Sequence, residues 1–214
     1  MTACEFTLEH YRDLLDTARK GGYRWAGFDR PPQDGDLILR HDVDLSLDAA
    51  VRLAEVEAAA DAWSTWFLMT RSVFYNLASP EGEETIARLR QLGHRVAHHA
   101  LWPHVDLDER FDPVVAWHNP DPEYMRLPVD GATNVMSAPF FDPEHYRSDS
   151  NQRWRGDCPH DGLARGEPSW LQLLTHPEIW AYPGGTMGET MRAFLEADSA
   201  ARLGHLRNDR IDLS

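Results

Sequence analysis

The stretch LILRHDVDLS, residues 37–46, decides how the rest of the chain is read. Three aliphatic residues run straight into Arg40-His41-Asp42-Val43-Asp44, and a run of helical periodicity follows close behind. Two carboxylates and an imidazole cost too much to desolvate for packing alone. Their position where a buried strand ends therefore predicts a site built at the strand's mouth. Side chains alternate along a strand with a period of two, so Asp42 and Asp44 are expected to point the same way.

Working outward, the same order recurs. Upstream, Thr7 reads as the cap of a helix whose apolar positions Tyr11, Leu14, Leu15 and Ala18 lead to Gly21-Gly22. Residues 23–28 read as a short strand, 31–36 as a loop and 37–39 as a buried strand. Downstream, the alanine-rich amphipathic pattern of residues 47–60 predicts a helix, and 64–69 a strand. Residues 83–92 predict a helix closed by Gly93, with 94–97 a strand running into His98-His99. Strands are expected within 111–117, ending at His118-Asn119-Pro120, at 133–136, and at 171–174, ending at Thr175-His176-Pro177; residues 186–203 close the chain as a helix. This is the rhythm of an α/β protein with a parallel barrel or sheet.

In such folds functional groups gather at the carboxyl ends of several strands. Four apolar runs here end in Asp42/Asp44, His98/His99, His118 and His176. One histidine after a strand is an ordinary loop residue; four such endings point to a shared site. With 214 residues, 42% hydrophobic and 26% charged, the chain is expected to form one domain spanning 1–214. Thirty-five acidic against 21 basic residues, a net charge of -14, argue against nucleic acid or anionic lipid as partners. No run approaches the ~18 apolar residues of a membrane helix, so no membrane insertion is expected. The start of the chain lacks the basic-then-apolar order of a signal peptide. The two cysteines, Cys4 and Cys158, read as isolated thiols, and the expected location is cytoplasmic.

The residue types at the strand ends suit a divalent metal with nitrogen and oxygen ligands, Zn²⁺ first, with Co²⁺, Ni²⁺ or Mn²⁺ as the other candidates. Such an ion brings the pKa of a bound water towards neutrality, one carboxylate takes its proton, and a separate histidine protonates the leaving group. This is the chemistry of metal-assisted amide or ester hydrolysis.

The motifs LRHDVD (39–44), GHRVAHH (93–99), HNP (118–120), SDSNQRW (148–154) and LLTHPEIW (173–180) together resemble the polysaccharide deacetylase family, carbohydrate esterase family 4, in its branch with an RHDVD signature. The likeness covers residues 37–180. It implies a distorted (β/α) barrel of about seven parallel strands that hydrolyses an N-acetyl group on an amino sugar. It implies Asp42 as catalytic base, Asp44 as metal-binding aspartate and His99 as first metal histidine. The family's second metal histidine falls four residues later; that position is Pro103 here, and His104 is the preferred third ligand, with His118 as its rival. His176 matches the general acid, with Leu173 and Leu174 lining an acyl pocket. Asp149 is expected to orient His176 or bind substrate, Trp154 to face the cleft, and Arg40 to pair with Asp42 or Asp149.

The interval between His99 and His118 is too short for a helix plus a strand, so one outer helix is expected to shrink to a turn. The expected partner is a small sugar or glycan, and a homo-oligomer is left open. Two other readings stand beside the deacetylase. One is a hydrolase of another non-peptide C–N amide or small ester, and the other is a catalytically idle carbohydrate-binding protein on the same barrel.

Overall fold

The computed structural model of the protein, which describes residues 4–101, 105–155 and 157–209, alternates helices and strands along the chain. The order is α1 (Leu8–Lys20), β1 (Arg24–Ala26), β2 (Asp36–Val43), α2 (Leu47–Ala59), β3 (Thr65–Leu68), α3 (Pro80–Gln91), β4 (Arg95–Leu101), β5 (Val114–His118), β6 (Thr133–Asn134), β7 (Tyr146–Ser148), α4 (His160–Arg165), β8 (Leu171–Thr175), α5 (Pro177–Ala181) and α6 (Met187–Asn208). Every ladder between these strands is parallel, in the order β6-β5-β4-β3-β2-β8-β7. The seven strands curl into a half-barrel flanked by helices, the expected distorted (β/α) architecture. β8 pairs with Leu37 to His41 on one side of β2. On the other side β1 takes residues 36–38 and β3 takes residues 40–43. Every residue of the strand carrying the opening motif, from Asp36 to Val43, is buried.

Period-two alternation divides β2 between two environments. Leu37, Leu39 and Val43 join Trp66, Leu68, Val96, Leu171 and Leu173 in the layer beneath α1, α2 and α3. Ile38 joins Phe67, Ala97 and Ala116 inside the half-barrel. Arg40 and Asp42 share the parity of Ile38, so they face the interior, whereas His41 faces the helices. There His41 Nε2 meets Glu57 Oε1 of α2 at 2.8 Å, and Tyr11 of α1 donates to the same oxygen at 2.6 Å. The buried strand expected at 37–39 thus continues to Val43. No desolvation penalty stops it at Arg40, because Arg40 and Asp42 neutralise each other and His41 is paired from the helix layer.

Local signals place the helices. The Thr7 hydroxyl accepts the His10 N–H at 3.1 Å, and the Ser46 hydroxyl accepts that of Ala49, also at 3.1 Å. Because Ser46 caps α2 only two residues beyond Asp44, the turn carrying Asp44 is short. α3 begins at Pro80, earlier than expected, with Ser79 as cap and proline in the first turn. Three elements were not expected: β7 with 3 residues, α4 with 6 and α5 with 5, all too short to show a hydrophobic period. Among the described residues no helix lies between β4 and β5, as the short interval implied, and none is long and apolar enough to cross a membrane.

Candidate active site

The carboxyl ends of β2, β4, β5 and β8 open onto one cavity of about 280 Å³, whose walls include Asp42, Asp44, His99, His118, Leu174 and His176. The inward parity that brings Asp42 there also brings His99 from β4 and Leu174 and His176 from the end of β8. Leu173, expected beside them, has the opposite parity and packs in the helix layer. His98 likewise turns outward, with its ring 5.2 Å from that of Phe111. Tyr146 and Arg155, which sequence reasoning passed over, also line the cavity.

Asp44, His99 and His118 converge. Asp44 Oδ1 lies 2.9 Å from His99 Nε2 and 3.1 Å from His118 Nδ1, and the two nitrogens are 3.2 Å apart. Ligand atoms about 2.0 to 2.1 Å from a tetrahedral Zn²⁺ stand about 3.3 Å from each other, so these three atoms have nearly the spacing of three corners of such a site. The other nitrogen of His99, Nδ1, donates to the Ala116 carbonyl at 3.1 Å, which fixes the ring so that Nε2 is aimed at the convergence. The side-chain amide of Asn119 abuts Nε2 of His118 at 3.2 Å. Nitrogen and oxygen donors in this arrangement fit a divalent metal. His104, the preferred third ligand from the sequence, lies outside the described residues; His118, its rival, is the histidine brought to Asp44 and His99.

The convergence is strongly polarised. Burial alone would raise the Asp44 carboxyl, but hydrogen bonds from His118 and His99 hold it well below the usual carboxylate range. His118 is raised in return, chiefly by its hydrogen bond to Asp44. Asp42 is gripped by Arg40, whose Nε and Nη2 donate to its two carboxylate oxygens at 2.8 and 2.7 Å. Burial works to raise this carboxyl too, and the guanidinium, with His99 and His176, keeps it lowered and ionised. Of the two partners expected for Arg40, Asp42 is the one it meets.

Asp149 instead holds His176. The ring Nδ1 of His176 lies 2.6 Å from Asp149 Oδ1, while the backbone N–H of His176 and the indole N–H of Trp180 donate to Oδ2 at 3.0 and 2.7 Å. Burial opposes a charge on His176, but Asp149 overcomes it and the imidazole is pushed up to about 10. Two residues on, Glu178 is fully buried, its Oε2 has no hydrogen-bond partner among the described residues, and burial lifts its carboxyl to about 8. Its place within LLTHPEIW gave no sign that α5 would bury it.

Trp154 departs from expectation. Asn151 and Gln152 adopt left-handed backbone, with φ of 58° and 55°, just before it. Its ring lies 5.9 Å from Phe6 and 6.0 Å from Trp180, and its indole donates to Cys4. This aromatic cluster sits behind the Asp149 side of the site, and Trp154 is not among the cavity's walls. The thiols are not isolated either: Cys4 and Cys158, 154 residues apart in sequence (158 − 4 = 154), come together beside His10.

A second hollow of about 430 Å³ shares Asp44, His118 and His176 with the first and continues along Met69, Val73, Phe74, Leu101 and Ile179. Compared with known proteins, the chain matches no family model, no curated protein and no solved structure.

Proposed function

We propose that the protein is a metal-dependent hydrolase that removes an N-acetyl group from an amino sugar or sugar-containing precursor. The observation that carries this reading is the convergence of Asp44, His99 and His118 in one cavity with the buried, ionised Asp42 and the partly buried, charged His176. Asp44, His99 and His118 would hold the divalent ion, which when bound supplies Lewis-acid polarisation of water and of the acyl carbonyl. Asp42, fixed by the two-pronged grip of Arg40, accepts the proton of the attacking water. His176, kept protonated and oriented by Asp149, donates from Nε2 to the departing amine. The amine needs that proton because an amide nitrogen leaves poorly as an anion. The apolar rim of the adjoining hollow suits a substrate with a greasy portion beyond the amide, such as a lipid-linked sugar.

The test is release of acetate from N-acetylated amino sugars by metal-loaded protein. Asp42→Asn and His176→Gln should each slow it by ~10²–10⁴-fold while leaving sugar binding in place. Release of formate or ammonia instead would move the assignment to another C–N amide, and sugar binding without any turnover would leave an idle binding protein. Metal affinity should also fall at lower pH than neutral, because the raised His118 must lose its proton to bind.

A further inference from the structure

We propose that Cys4, His10 and Cys158 form a second, sulfur-containing site for a divalent cation of the Zn²⁺ class, tying the start of the chain to the loop ahead of α4. Three donor atoms meet there. His10 Nε2 lies 3.1 Å from Cys4 Sγ and 3.5 Å from Cys158 Sγ, and all three atoms lie within 4.8 Å of one another. With Zn–S near 2.3 Å and Zn–N near 2.0 to 2.1 Å, tetrahedral corners stand about 3.6 Å apart for sulfur and nitrogen and about 3.8 Å for two sulfurs. The observed nitrogen–sulfur separations therefore need only small adjustments to receive the ion.

Each ligand is held by structure of its own. His10 is fixed by the α1 cap, where its backbone N–H meets the Thr7 hydroxyl. Cys158 immediately precedes Pro159, which caps α4. The indole N–H of Trp154 donates to Cys4 Sγ at 3.0 Å, which orients that sulfur. All three residues are half-buried and border an open hollow of about 580 Å³, whose walls also include Asp157 and His160. Two thiolates and an imidazole select a softer ion than the carboxylate and two imidazoles of the candidate active site. The two sites are also separate in the fold: Trp180 lies between them, with its ring against Phe6 and His10 and its indole on Asp149.

Cobalt titration of the full chain under reducing conditions tests this, because sulfur-to-cobalt charge transfer absorbs in the near ultraviolet and the other candidate site contains no sulfur. The expected result is a charge-transfer band that saturates by two equivalents in the wild type and at one in His118→Ala, and disappears in Cys158→Ser and in Cys4→Ala. Zn²⁺ should displace the band and raise the melting midpoint of the wild type more than that of Cys4→Ala. Absence of the band from wild type with both thiols still titratable would overturn the proposal. So would a band unchanged in both cysteine variants, or a Cys4–Cys158 disulfide in the chain as isolated from cells.

Discussion

Replacing Asp149 with asparagine tests how His176 is kept charged. Asp149 is fully buried, and its two oxygens receive the His176 ring, the His176 backbone N–H and the Trp180 indole. The imidazole is pushed from 6.5 to about 10 against the opposing effect of burial. That span (10 − 6.5 = 3.5), at ~1.4 kcal/mol per pH unit, is on the order of 5 kcal/mol of preference for the charged ring. Asp149 is its main source, with Asp44 and Glu178 adding. Because the folded chain holds this proton more tightly than the unfolded chain, the stabilisation is fully present below pH 6.5 and is lost as pH rises through about 10.

Asp149→Asn should therefore cost about 3–5 kcal/mol in denaturant unfolding at pH 6, the range for breaking a buried charged pair. The deficit should narrow towards pH 10. Histidine ring resonances followed by NMR should show His176 titrating near 10 in the wild type and well below that in the variant, where only Asp44 and Glu178 still oppose burial. A wild-type ring that titrates at an ordinary value, or a variant ring that does not move, would refute this account.

Two buried carboxyls give further outcomes. Glu57 receives Tyr11 and His41 on one oxygen and Ser64 on the other, so Glu57→Ala leaves three groups without their partner. A loss of about 3–5 kcal/mol is expected in urea unfolding, and one below about 1 kcal/mol would contradict it. Glu178 gives the opposite sign. Its carboxyl holds its proton to about 8 in the folded chain and to 4.5 when unfolded, so the wild type loses stability as pH rises between those values. Glu178→Gln should match the wild type at pH 4 and exceed it at pH 7 by on the order of 3 kcal/mol (7 − 4.5 = 2.5 pH units). Equal melting midpoints at both pH values would rule that out.

Much of the fold is legible in particular residues. Thr7, Ser46 and Thr186 cap helices where side chains of their kind satisfy free N–H groups. The apolar runs at 64–69, 94–97 and 171–174 all fall on strands, because a run bounded by turn residues is read from neighbours in sequence. The elements that escaped, β7, α4 and α5, are held by contacts from distant segments. α5 shows this best: His176 and Trp180 at its two ends share Asp149, a residue 27 positions away from the first and 31 from the second.

The candidate site divides along the same line. That Asp42, Asp44, His99, His118 and His176 belong together follows from the sequence alone, since each ends an apolar run and parallel strands collect their carboxyl ends. Which of them touch does not follow, because contacts depend on register and curvature. Period two turns His41 to Glu57 and Asp42 to Arg40, and the register of β4 against β5 brings His118 to within 3.2 Å of His99. The meeting of Cys4 with Cys158 is beyond any local pattern, since thiols 154 positions apart come together only when folding has set their two segments side by side.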